Sequence, residues 1–219
     1  MASITFTVTE AVTEICEAMD DGDFLRWGED TDYTGRALDK FIESINDLIA
    51  LYSNYVEARN LGLNPDPIPY SERDFYGIIG RNEVEIASNS AIDVSANIDD
   101  VYRVLEVYPD PAGTNHVQKV FTFTTEASLR GLGGQYFLDD DEVEYYYSGD
   151  NIHFITASAT YFASSATFNV YVKTIEYCSI DKDGADKDTD LLGIYTKPLI
   201  DAAIKLTVEK LMLEEQRTP

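Results

Sequence analysis

The apolar residues of this chain change their spacing twice, and that change limits the fold more than any other feature. From Val8 to about position 59 they recur every three to four residues. From Gly80 to Tyr177 they alternate. After Thr196 the helical spacing returns. Such a chain must carry helices at both ends and sheet between them.

The first helix has its start written in Thr7-Val8-Thr9-Glu10, a capping box in which hydroxyl and carboxylate satisfy exposed backbone N–H groups. Val8, Val12, Ile15 and Met19 follow on one face, and Asp20-Asp21-Gly22-Asp23 stops the run. A second helix is predicted over 36–59, with Leu38, Ile42, Ile45, Ile49 and Tyr52 as its stripe and Asn60-Leu61-Gly62 as its end. Pro65, Pro67 and Pro69 then alternate, which keeps the chain extended and stiff and marks a boundary. Ser71-Glu72-Arg73-Asp74 opens one more short helix.

Period-two runs predict strands over 83–87, 92–96, 101–108, 117–124, 142–147, 152–157 and 167–177. Ser148-Gly149-Asp150-Asn151 makes a β-hairpin of 142–157. The last helix begins near Thr196 and Pro198 and carries Leu199, Ile200, Ala203, Ile204, Val208, Leu211 and Met212. The expected fold is therefore α+β: two N-terminal helices and a C-terminal helix around an antiparallel β-sandwich or small barrel. Its parts are a helical segment 1–64, a β-rich segment 70–180, and a helix 195–216 packed on the first segment, all in one unit.

Forty acidic residues face 16 basic ones, a formal charge of -24. Affinity for nucleic acid comes chiefly from cations that neutralise phosphates, so tight DNA or RNA binding is not expected. An anionic membrane is disfavoured for the same reason, and no apolar run is long enough to span a bilayer. The first residues show no secretory signal, so the chain reads as soluble and made in a cytoplasm. Cys16 and Cys178 form neither a disulfide framework nor a zinc spacing, and read as small buried residues.

The search for chemistry finds little. His116 and His153 have no ligand partners at metal spacing. Gly131-Leu132-Gly133-Gly134 fits neither a phosphate loop nor a dinucleotide fingerprint. The cluster Asp181, Asp183, Asp186, Asp188 and Asp190 offers oxygens for calcium, but Gly184 is misplaced for an EF-hand, and a solvated loop is the simpler reading. Alternation puts Tyr145 and Tyr147 on one face of their strand and Tyr146 on the other, which suits a core or a subunit interface better than a sugar platform. No catalytic residue, metal or cofactor is expected.

One order of segments carries a resemblance. Tyr136-Phe137-Leu138-Asp139-Asp140-Asp141 leads to Glu144-Tyr145-Tyr146-Tyr147-Ser148-Gly149-Asp150-Asn151-Ile152-His153-Phe154, then to Phe168-Asn169-Val170-Tyr171-Val172-Lys173. After an acidic loop come Pro198-Leu199-Ile200-Asp201-Ala202-Ala203-Ile204 and a terminal helix. Over about 90–215 this resembles head-to-tail connector proteins of tailed bacteriophages, the adaptor, ring or gatekeeper proteins of podovirus-like particles. The likeness is one of pattern, with no diagnostic short motif.

The resemblance implies a virion protein without catalytic residues. It would form a ring of its own copies, expected as a dodecamer, joining the capsid portal protein to the next tail protein and letting DNA pass. Leu199, Ile200, Ile204, Val208 and Leu211 of the terminal helix, with Tyr145 and Tyr147, would meet the portal or a neighbouring subunit. The same helical stripe also suits packing inside its own subunit. Asp139, Asp140, Asp141, Asp186 and Asp188 would face the channel and repel phosphates. Two other classes compete: a β-sandwich that binds a receptor or glycan, and a hydrolase using unrecognised carboxylates.

Overall fold

The computed structural model describes residues 5–21, 35–86, 91–109, 120–124, 142–156, 168–178, 180 and 190–217. The chain forms two compact units: Met1–Ile79 with Tyr177–Pro219, and Gly80–Glu176 inserted between them in sequence.

In the helical unit, α1 (Val8–Ala18) starts with the expected box. Glu10 N–H donates to Thr7 Oγ1 at 3.2 Å, and Thr7 N–H donates to Glu10 Oε2 at 2.7 Å. The second helix, α2 (Arg36–Asn60), ends as predicted: Leu61 is its C-cap, and Gly62 takes a φ of 73°, which a side chain would resist. The alternating prolines do not divide the units. They lead into a 3₁₀ helix (Glu72–Ile78) that belongs to the helical unit. The reason is aromatic packing: Phe75 is wholly buried, stacks on Tyr52 of α2 at 4.7 Å and meets the edge of Tyr70 at 6.2 Å.

The terminal helix α4 (Lys197–Arg217), which comes after the short α3 (Val94–Asn97) in the chain, closes the helical unit. Val8, Ala11, Val12 and Ile15 of α1, Leu38, Phe41, Ile45 and Ile49 of α2, and Leu199, Ile200, Ala203 and Leu211 of α4 are buried. Each large side chain removed from water in this way contributes about 1.5–3 kcal/mol. α2 and α4 also share a small polar contact. Ser44 Oγ donates to Lys40 O at 2.8 Å, and the Thr207 hydroxyl, 3.0 Å from Ser44 Oγ, donates to Ala203 O at 2.7 Å.

The inserted unit is a sandwich. Its strands are β1 (Ile79–Ile86), β2 (Ile92–Asp93), β3 (Val101–Pro109), β4 (Val120–Phe123), β5 (Glu142–Ser148), β6 (Asn151–Thr156) and β7 (Phe168–Glu176). They form an antiparallel sheet ordered β1-β7-β3 and a sheet ordered β2-β6-β5-β4. Neither closes into a barrel. One core lies between them: Val84, Val107, Val170 and Val172 from the first sheet meet Ile92, Val143, Tyr145 and Ile152 from the second.

Two details differ from the sequence expectation. The second sheet is mixed, because β4 runs parallel to β5. The predicted strand at 92–96 stops after two residues and becomes α3 (Val94–Asn97), since Asp93 Oδ1 accepts from Ala96 N–H at 3.1 Å and caps a helical turn. The hairpin is as expected, with Ser148 opposite Asn151 and Gly149 at a φ of 61°.

Candidate functional site

The five acids expected to face a channel, Asp139, Asp140, Asp141, Asp186 and Asp188, lie outside the described residues, as does His116. The other expected site residues are described. Leu199, Ile200, Ile204 and Leu211 are buried in the core of their own helical unit, the packing role that their stripe also suited. Val208 stays half-buried beside them. The sandwich places Tyr145 and Tyr147 on its inner face, as alternation predicted. Tyr145 is 4 % exposed, and its hydroxyl accepts the Val107 N–H at 3.3 Å.

The opposite face of β5 and β6 carries Tyr146 stacked on His153, with ring centroids 5.0 Å apart and planes 15° from parallel. Glu144 shares that face. Burial pushes its carboxyl above the usual range, and a hydrogen bond from Thr124 offsets part of the rise.

Acidic side chains do structural work in the helical unit. Asp190, the last acid of the second cluster, accepts from Phe6 N–H at 3.1 Å and from Leu192 N–H at 3.0 Å. It ties the segment before α1 to the segment that leads to α4. Asp74 accepts from Ser71 N–H at 2.7 Å, from Ser71 Oγ at 2.9 Å and from Thr196 Oγ1 at 2.7 Å. Burial works against its charge, but the hydrogen bonds from Thr196 and Ser71 outweigh burial and lower its pKa. The same strap brings Gly77 N–H to Ile194 O at 2.9 Å. A Cβ on Gly77 would lie 2.5 Å from the Ile194 Cα, so this position needs glycine.

Three cations of α2 and α4 are held by acids. Lys210 Nζ lies 2.6 Å from Asp47 and 3.1 Å from Glu43; Lys40 Nζ lies 2.7 Å from Glu43 and 3.1 Å from Glu214; Arg36 lies 2.7 Å from Glu214. Hydrogen bonds from Lys40 and then Lys210 hold Glu43 below its ordinary pKa. On α1, by contrast, the exposed side chains are Glu10, Glu14, Glu17 and Ala18, with no Lys or Arg in the helix.

Among the described residues, no three His, Cys, Asp or Glu side chains cluster as a metal site. No described helix is long and apolar enough to cross a membrane. Both cysteines are free, Cys16 buried and Cys178 half-buried: burial, then Asp21, pushes Cys16 up to about 11, and burial raises Cys178 against hydrogen bonds from Tyr195 and the Ile180 backbone. The sequence matches no protein-family model and no curated protein.

Sequence reasoning did not find the Asp74–Thr196 and Asp190–Phe6 ties, because both join residues more than a hundred positions apart. The only local hint was Ser71-Glu72-Arg73-Asp74, which has the outline of a cap.

Proposed function

We propose that this protein is a structural ring component of a tailed bacteriophage, joining the portal to the tail and letting DNA pass. It acts through assembly and not through catalysis. The observation that carries the reading is the use made of five of its 16 cations. Arg36, Lys40, Lys197, Lys205 and Lys210 each lie within 4.0 Å of a carboxylate. Other acids, such as Glu17 on α1, face solvent. A wall of this kind repels phosphates and gives DNA nothing to hold. The segment order quoted above supports the same reading.

The test is charge reversal. Particles carrying Asp139→Lys, Asp140→Lys and Asp141→Lys should eject DNA more slowly, and more so at low salt, where screening is weak. Ejection at the normal rate would count against the channel role.

A second reading, a sandwich that binds a glycan or receptor, draws on the Tyr146–His153 stack on the outer face of β5 and β6. Stacked rings suit the apolar face of a sugar. A glycan array bound by the native chain, with binding lost in Tyr146→Ala, would favour it over the ring.

A further inference from the structure

We propose that the groove between α1 and α4 is a docking site for a basic amphipathic helix of a partner protein. The groove has a volume of about 510 Å³ and is bounded by Glu14 and Ala18 of α1 and by Asp201, Ile204, Lys205, Val208 and Glu209 of α4. Its apolar floor is a narrow row: Ile204, 8 % exposed, shows only an edge, Val208 one turn on is half-buried, and Met212, one turn beyond the lining, is 43 % exposed. The eight residue steps from Ile204 to Met212 make this row about 12 Å long. The α1 wall beside it ends in Ala18, small enough to let another backbone come near.

The shape fits a helix, because a groove between two packed helices accepts the ridge of a third. The charge then selects the kind of helix. Glu14, Asp201 and Glu209 line the groove against Lys205 alone. Lys205 is 80 % exposed and its nearest Glu209 oxygen is 3.9 Å away, a loose pairing. Lys197 flanks the groove, already 2.6 Å from Asp201 and 3.9 Å from Glu14. The rim is thus net acidic, and the outer face of α1 extends the acid with Glu10 and Glu17. A second copy that presented α1 would bring more acid to this rim, so self-pairing through that helix is opposed by like charge. A partner helix with an apolar stripe and Lys or Arg on its flanks meets both features. This site stands on its own geometry and does not depend on the ring reading.

The probe is a synthetic helix of about 16 residues, longer than the apolar row, with leucines at every third and fourth position and lysines beside them. It is titrated into the full chain labelled with ¹⁵N. Amide shifts should concentrate at Glu14, Ala18, Lys205, Val208 and Glu209. Glu14→Lys with Glu209→Lys should weaken binding by roughly tenfold. Glu83→Lys with Glu85→Lys, in the inserted unit, changes net charge equally and should leave binding unchanged. Replacing the peptide leucines by serine should abolish binding. Three results would overturn the proposal: shifts mapping elsewhere, equal weakening by both double variants, or a groove already filled by the chain's own residues 22–34, seen as contacts between them and Val208.

Discussion

Tyr145 and Val107 join the two sheets of the sandwich: the Val107 amide on β3 donates to the Tyr145 hydroxyl on β5 at 3.3 Å. The ring of Tyr145 belongs to the core, packed edge-on to Phe123 at 5.7 Å and to Tyr147 at 6.0 Å. The bond therefore serves a backbone donor on an edge strand that sits in a buried place. Burial raises the pKa of the phenol, and its link to Val107 works in the opposite direction.

Tyr145→Phe keeps the ring and removes the hydroxyl that accepts from Val107. Leaving the buried Val107 N–H without a partner costs about 1–3 kcal/mol. Urea unfolding should show a lower midpoint with an unchanged slope. Tyr145→Ala, which also opens a cavity, should cost about 3–5 kcal/mol.

Asp74 links pH to the packing of α4. Its folded-state pKa is depressed, so the unfolded chain binds its proton more readily. The stabilisation is present above the unfolded value of about 3.9. It fades as pH falls through the lower folded value. Thr196→Ala removes the hydroxyl bond, so the Asp74 titration followed by carbon NMR should move upward. An unmoved titration would show that Thr196 does not hold the carboxylate.

Much of this was legible in the sequence, for a physical reason: local geometry is written locally. The Thr7–Glu10 box, Gly62 after α2 and Gly149 in the hairpin each satisfy a need within four residues. Strand direction is different. Alternation along β4 is the same whether its neighbour runs parallel or antiparallel, so the parallel β4–β5 pair could not be foreseen. Asp93 was hidden for another reason. It sits in a β-like run, Ile92-Asp93-Val94, yet its carboxylate caps a turn. The candidate site was legible only in part. Alternation placed Tyr145 correctly, whereas the α1–α4 groove depends on which faces two distant helices leave uncovered.

Cys16 should be inert in the native state. It is fully buried and its thiol is pushed up to about 11, so little thiolate exists near pH 8. A thiol reagent should not label Cys16 until urea unfolds the chain. Rapid native labelling of Cys16 would contradict its place in the α1 core.

Two leucines two residues apart on α4 should behave oppositely. Leu211 is wholly buried, so Leu211→Ala should cost about 2–5 kcal/mol. Leu213 is 52 % exposed, so Leu213→Ala should stay within about 0.5 kcal/mol of the parent. Thermal unfolding of the two variants separates them directly.

Native mass spectrometry of the purified protein, alone and with its candidate portal, tests the central claim most directly. The ring reading predicts a monomer that becomes a large closed ring on the portal, since ring contacts close by rotation. A monomer that stays monomeric with the portal present would contradict it.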